Sequence, residues 1–221
     1  MVRNNHMDLF EILRSTNACR FYTQEPVDDE TLSRVLSAAR WAPTGGNRQP
    51  VNLIVTKNRE TKLELQKLYL PLWNAYTAGI RDGTVKVGTR DKKIVDNADY
   101  FANNLANIPV LVTVCARLED VHPTDTNLDR LSVVGGASIY PAVQNILLAA
   151  RQNGLGSALT TLLCAEETRV KELLRIPEHV STAAMLTLGW PEKGFPSKLT
   201  RKPLSEIAWL ESFGTPFEKQ Q

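Results

Sequence analysis

The chain has 221 residues, enough to bury one substantial core, and no Gly-, Ser- or Pro-rich linker divides it, so we expect a single domain spanning residues 1–221. Its 26 basic and 24 acidic side chains are spread along the chain and give a formal net charge of +2, which argues against a nucleic-acid partner. The cysteines and histidines show no metal-ligand spacing, and no stretch reaches the ~20 apolar residues that span a bilayer. We therefore expect a cytoplasmic protein with reduced thiols, no metal and no membrane contact.

Hydrophobic periodicity predicts helices and strands that alternate without a strict βαβ repeat. A short helix over 8–13 ends where a basic stretch begins, and Asp28 is placed to cap a second helix that stops before Pro43. Further helices are predicted over 59–69 and 168–174, and strands over 51–55, 109–116, 155–163 and 183–188. The nearly continuous apolar run at 109–116 is typical of a central strand covered on both faces.

The segment 133–153 is apolar around much of a helical circumference, which predicts burial against more than one surface, one of which could belong to another subunit. Pro141 interrupts this pattern. Because an interior proline costs about 3 kcal/mol, the helix either kinks at Tyr140 or begins there, and Gly154 ends it.

Two polar segments flank the second helix, and the first of them is basic. Arg14 and Arg20 enclose the small side chains of 15–18, a composition suited to an anionic ligand because a guanidinium can bind two oxygens at once. The simpler interpretation is that both arginines are solvated surface charges.

The second polar segment is a turn rich in glycine and amides. Thr44 leads into Gly45 and Gly46, where the missing β-carbons allow close approach of backbone N–H groups to a ligand, and Asn47 and Gln49 add donors and acceptors. With the helix as a spacer, we expect the two polar segments to converge on one ligand. Taken alone, this stretch is also an ordinary turn.

Common nucleotide-binding signatures do not occur. No G-x-G-x-x-G follows a strand, and there is no G-x-x-x-x-G-K-[ST]. A nucleotide cofactor would therefore be held by side chains and irregular loops.

The order of these motifs resembles the nitroreductase family of FMN-dependent oxidoreductases, whose opening signature is a basic R-x-S-x-R stretch, then P-V, then A-P-S-x-x-N-x-Q-P. The chain reads RSTNACRFYTQEPV and APTGGNRQP at this spacing, and GASIYPAVQNILLAARQNGLGSALTT and TLGWPEKGFPSKLTRKPLSEI extend the resemblance over essentially its whole length, most weakly at 72–107. The resemblance implies an α+β, nitroreductase-like fold with a central mixed β-sheet flanked by helices. It also implies an intertwined homodimer with its site at the subunit interface.

The resemblance assigns two arginines to FMN. Arg20 matches the second arginine of the motif, which in relatives approaches the N1 and C2 carbonyl side of the isoalloxazine and favours its reduction. Arg201 matches a late phosphate-binding arginine, with Lys198 close enough in sequence to add positive potential.

One part of the motif departs from the family. Thr16, Asn17 and Ala18 stand where many relatives carry Arg, Arg or His, and Ser, which weakens two expected phosphate contacts. Arg14, two positions earlier, is a candidate to compensate.

The other cofactor residues implied by the resemblance are Thr44 and Gly45 in the turn beneath the flavin, Asn47 and Gln49 after it, and Thr160 and Thr161 beside the ring. The region 69–101 is expected to form a substrate lid, with Trp73 and Tyr76 as aromatic substrate contacts. No side chain stands out as a nucleophile or general base, so no catalytic residue is predicted.

The expected reaction is ping-pong. NADH or NADPH gives hydride to flavin N5 and leaves, and an electron-poor small molecule such as a nitroaromatic, quinone or activated enone then takes its place. Two alternatives stay open: a reductive dehalogenase or flavin-fragmenting relative, for which Tyr76, Arg81, Lys86 and Arg90 could hold a zwitterionic substrate, and a non-catalytic flavin-binding protein. The tail 209–221 is expected to pack onto the partner subunit.

Overall fold

A four-stranded sheet lies between two layers of helices in the computed structural model, which describes residues 7–86, 88–197 and 199–217. The helices are α1 Leu9–Ser15, α2 Asp29–Ser37, α3 Arg59–Arg81, α4 Thr89–Asn103, α5 Tyr140–Gln152 and α6 Glu167–Leu174. The strands are β1 Val51–Thr56, β2 Val110–Arg117, β3 Gly156–Thr160 and β4 Val180–Gly189. Lys198, expected near Arg201, lies outside the described residues.

The strand order is β1-β2-β4-β3, and all three ladders are antiparallel. The α+β class is confirmed, but the expected mixed sheet is corrected: in the described ranges the parallel pairing is an isolated bridge between Ala18 and Ser157. The reason lies in the helical connections. After β1 and after β3, the chain passes through helices and comes back as the neighbouring strand, β2 or β4, which runs in the opposite direction.

Strand β2 is central, as predicted. All of its residues except Arg117 are buried. Alternate side chains face the two helical layers: Val112 and Val114 pack with α2 and α5, whereas Leu111 and Cys115 pack with α3, α4 and α6. Burial on both faces explains why the strand lacks polar alternation.

The predicted helix termini at Asp28 and Tyr140 are confirmed. The Asp28 carboxylate accepts a hydrogen bond from the Thr31 N–H at 2.7 Å and so caps α2. Helix α5 begins at Tyr140 with Pro141 in its first turn, where a missing N–H breaks no helical hydrogen bond. Gly154, at φ +78°, follows its end.

Helix α3 runs past its predicted C-terminus, through Pro71, to Arg81. The inner face of this extension buries Trp73 and Thr77, and this burial offsets the local cost of the proline. Helix α4, which was not predicted, packs back against it: Trp73 Nε1 donates to Asp99 Oδ1 at 2.6 Å, and Arg81 Nη2 donates to the same oxygen at 2.5 Å. The expected lid region is therefore a helical hairpin fastened to the core.

The cysteines Cys19, Cys115 and Cys164 are free thiols, as predicted. Over the described ranges, no helix combines the length and apolar character needed to cross a bilayer. The same ranges hold no group of three or more His, Cys, Asp or Glu side chains that could hold a metal ion.

Candidate functional site

The first polar segment lies against β3 at the strand's N-terminal end. Ala18 and Ser157 form the isolated parallel bridge, and the Cys19 N–H donates to the Ser157 carbonyl at 2.8 Å. This contact fixes the backbone between Arg14 and Arg20 at one corner of the sheet.

The chain that follows β4 returns to the same corner. Pro191 bridges Tyr22, and the Glu192 N–H donates to the Phe21 carbonyl at 3.1 Å. This chain then leads to Arg201, whose exposed guanidinium donates to the Thr200 carbonyl at 2.8 Å. The structure thus places residues 190–192, which precede Arg201 in the chain, beside the first polar segment.

Arg20, Thr160 and Thr161 share one neighbourhood. Arg20 is half-buried and donates from Nη1 to the Ala18 carbonyl at 3.2 Å. The Tyr69 hydroxyl lies 3.3 Å from Thr160 Oγ1. Burial raises the pKa of Tyr69, and the hydrogen bond to Thr160 and the Arg20 charge oppose that shift. Arg20 follows Ala18 by two residues, and Ala18 forms a parallel bridge with Ser157 of the strand that ends at Thr160. Thr161 follows directly and is exposed.

Arg20 also borders a small cleft of about 110 Å³. Its other lining residues are Tyr22, Gln24, Tyr100, Phe101, Asn104, Asn107 and Ile108. Small-molecule sites usually enclose about 300–1,000 Å³, so this cleft is too small for a flavin. A larger open groove of about 730 Å³ between α2 and β1 contains none of the predicted site residues.

The second polar segment is a tight turn with unusual backbone angles. Gly46, Asn47 and Gln49 have φ values of 58°, 54° and 50°. The Gln49 N–H donates to Thr44 Oγ1 at 3.1 Å, and its side-chain amide donates to Asn47 Oδ1 at 3.1 Å. Left-handed angles at two non-glycine residues carry strain, which is frequent at ligand-binding positions. The predicted residues of this turn therefore form one compact exposed unit.

The two polar segments do not converge within one chain, which corrects the expectation from sequence. Along β4, Leu188 pairs with Ser157 of β3, whereas Ser181 pairs through Ala116 with Val51, next to the turn. The two segments are therefore separated by seven residues along β4 and by three strand spacings across the sheet. Together these separations place Ala18 about 25 Å from the turn.

Contacts at the two ends of helix α5 also show that the two polar segments lie far apart. The Gly45 N–H donates to Ser138 Oγ at 3.0 Å, just before the N-terminus of α5. Ser15 instead accepts a hydrogen bond from Arg151, in the last turn of that helix. A helix of 13 residues is about 20 Å long. The two predicted segments thus lie at opposite corners of the sheet.

Thr16 has no free donor for a phosphate. Its N–H and hydroxyl both donate to the Ile12 carbonyl, at 2.9 and 2.8 Å, and so complete the end of α1. Asn17 is exposed, and its amide makes only a long contact of 3.5 Å with the Ala18 carbonyl. Of the replaced motif positions, Asn17 alone offers an available side-chain donor.

The structure adds Arg151, which was not predicted. Its guanidinium carbon lies 3.8 Å from the centroid of the Phe195 ring, and Nε donates to Ser15 Oγ at 2.9 Å. A basic residue in the last turn of a helix is ordinary, so no sequence pattern predicted this contact.

The arginines of this corner lack acidic partners. None of Arg14, Arg20, Arg151 and Arg201 forms an ion pair with a carboxylate in the portion of the chain that the structure describes. Such a set of cations raises the local positive potential, and it fits an anionic group such as the phosphate of FMN.

The two predicted substrate contacts differ in exposure. Trp73 is 9% exposed and its N–H is taken by Asp99, so it belongs to the core. Tyr76 is 72% exposed and packs against Trp73 at a centroid distance of 5.9 Å. Of these two predicted substrate contacts, Tyr76 is therefore the one that a small molecule can reach.

Gly156 permits the close contact between the first polar segment and β3. A β-carbon at this position would lie 2.6 Å from Cys19 Sγ and 2.9 Å from Cys19 Cβ. Gly156→Ala is expected to push the segment off the strand and to lower both Tm and flavin affinity, because overpacking costs about 1–3 kcal/mol. Thermal melts and flavin titration measure these effects. Gly194→Ala is the control, since nothing lies within 4 Å of its added carbon; equal Tm values for the two variants would contradict the prediction.

Comparison with known proteins gives the family. The model of the nitroreductase family matches residues 13–190. A putative NADH dehydrogenase/NAD(P)H nitroreductase of Methanothermobacter thermautotrophicus is 27% identical over 84% of this chain and 78% of its own length. Iodotyrosine deiodinase 1 of Rattus norvegicus is 30% identical over 93% of this chain and 70% of its own length.

The fold has solved counterparts. The crystal structure of oxidised iodotyrosine deiodinase bound to FMN and 3-iodo-L-tyrosine superposes with a TM-score of 0.70 at 20% identity, covering 94% of this chain and 100% of that one. The predicted nitroreductase-like fold is thus confirmed. With the family model matched over most of its length, the chain belongs to the nitroreductase family of oxidoreductases.

Proposed function

We propose that this protein is an FMN-dependent oxidoreductase that passes hydride from NADH or NADPH to an electron-poor small molecule, a nitroaromatic, quinone or activated enone, in a ping-pong reaction. The observation that carries the proposal, in a chain of this family, is the pair of arginines beside the first polar segment, Arg20 and Arg151, which have no carboxylate partner within the described residues. FMN, when bound, supplies the hydride chemistry at its N5 atom.

The proposed active unit is a homodimer. Ala18, at the bridge to β3, and the turn at 44–49 lie about 25 Å apart across the sheet of one chain, which favours one flavin contacting segments that come from different protomers. Exposed apolar side chains on the C-terminal segment fit a partner surface, among them Ile207, Leu210 and Phe213, which are 63%, 51% and 90% exposed.

Each of the two segments is a half-site of this dimer with a distinct role. Arg20 and Arg201 supply positive charge for the electron-rich side of the ring and for the phosphate, and Thr160 and Thr161 line the same face. Arg14 adds to the positive potential from its exposed position at the end of α1. The turn of the partner contributes Thr44, Gly45, Asn47 and Gln49. Tyr76 borders the substrate, and hydride transfer between stacked reactants needs no protein acid or base.

The colour of the purified protein tests this proposal. We expect yellow protein that releases FMN on denaturation and bleaches anaerobically with NADH or NADPH before any acceptor is present. A quinone added afterwards restores the colour, because the two half-reactions are separate. A yellow protein that no nicotinamide donor bleaches would contradict the enzyme and support a flavin-binding role.

A reductive dehalogenase is the second candidate, favoured by the similarity to iodotyrosine deiodinase. Of the basic lid residues considered for a zwitterionic substrate, Arg81 is bound to Asp99 and Asn74, whereas Lys86 is exposed. Turnover of a halotyrosine faster than a quinone or nitroaromatic would support this candidate over the first.

A further inference from the structure

Arg151 joins the two chain segments expected to hold the cofactor phosphate. Its Nε donates to Ser15 Oγ at 2.9 Å, directly before the replaced motif positions. Its guanidinium stacks on Phe195, on the chain that leads to Arg201, at 3.8 Å from the ring centroid. The cation therefore lies where these segments meet.

Among the residues that the structure describes, few accept a hydrogen bond from this guanidinium. Beyond the bond to Ser15, Nη1 contacts Met7 Sδ at 3.3 Å, and sulfur is a weak acceptor. Burial lowers the pKa of Arg151, while the nearby Glu11 charge opposes that shift without forming an ion pair. A partly desolvated cation without a paired anion is unfavourable, and a bound anion would offset that cost.

Neighbouring residues are less suited to this role. Both donors of Thr16 are used within α1. Arg14 is exposed, and its guanidinium lies 5.7 Å from the Phe10 ring, which is also exposed, whereas the Ile12 and Ser15 face of α1 is buried. Arg14 is thus directed toward solvent, and Arg151 approaches from beneath α1.

We infer that Arg151 binds the phosphate of FMN and takes over from the arginine that the family motif places at Thr16. The planar fork of Nη1 and Nη2 is matched to two phosphate oxygens. This assignment rests on the proposed function, since it presumes that the protein binds FMN.

The test compares FMN with riboflavin, which lacks the phosphate, by quenching of flavin fluorescence. Wild-type protein should bind FMN more tightly than riboflavin. Arg151→Met should weaken FMN binding by about 10- to 100-fold, the range of a charge-assisted bidentate contact, and change riboflavin binding less than threefold. Arg151→Lys should keep part of the preference, and the control Arg169→Met, an exposed residue of α6, should keep all of it.

The outcomes separate the inference from the function it rests on. Equal weakening of FMN and riboflavin by Arg151→Met would show a structural role only, and an unchanged FMN preference would show no role; either overturns the assignment. Loss of the preference in Arg14→Met but not in Arg151→Met would also overturn it. Wild-type protein that binds neither flavin would instead overturn the proposed function.

Discussion

Replacing Arg20 by alanine is expected to lower kcat/KM for quinone reduction by NADH or NADPH by about 100-fold. Preorganised groups that oppose developing negative charge commonly contribute a factor of about 10² to 10³. Arg20 is half-buried and lines the small cleft with Tyr22 and Phe101, so water screens its charge less than that of a fully exposed arginine.

Steady-state kinetics should be measured together with the fraction of protein that holds FMN. This distinguishes a slower reaction of the bound flavin from a loss of flavin. Arg20→Lys keeps the charge without the planar fork and should lose only about tenfold. Arg169→Ala, whose side chain is 65% exposed and lies 3.7 Å from Glu166, is the matched control and should stay within twofold of wild type. An Arg20→Ala protein that retains FMN and full turnover would refute the role of this charge.

Elements with local causes were predictable from the sequence. The cap at Asp28, the start of α5 at Tyr140 and the buried strand β2 each follow from neighbouring residues. The extension of α3 and the existence of α4 depend on tertiary contacts instead. Asp99 accepts hydrogen bonds from Trp73 and Arg81, which precede it by 26 and 18 residues. Hydrophobic periodicity cannot predict a contact between residues so far apart in sequence.

The sequence predicted which residues to consider for the site but not how they are arranged. Its motifs singled out Arg20 and the turn at 44–49, whose role in a site stays a prediction. The intervening helix fixes only a length and not a direction, so the separation of the two segments within one chain was not predicted. The parallel bridge of Ala18 with Ser157, 139 positions apart, decides where the first segment lies. The contact of Arg151 with the first segment was not predicted because its partner, Ser15, is 136 positions away in sequence.

The second large effect follows from the separation of the half-sites. Arg20→Ala damages one half-site. Gly45→Leu should block the other, which is exposed; in its own chain the added β-carbon would meet Ser138 Oγ at an ordinary contact distance of 3.7 Å. Each variant homodimer should lose at least about 100-fold in activity, since both of its composite sites are damaged.

A heterodimer of the two variants, purified through two different affinity tags, tests the composite site most directly. One of its two sites combines the Arg20→Ala segment of one chain with the Gly45→Leu turn of the other, so both parts are damaged. The second site combines the intact turn of the first chain with the intact Arg20 of the other. The account predicts recovery of about half of the wild-type activity per dimer. A heterodimer as inactive as either parent would contradict it, and would show that Arg20 and the turn serve the same site from the same chain.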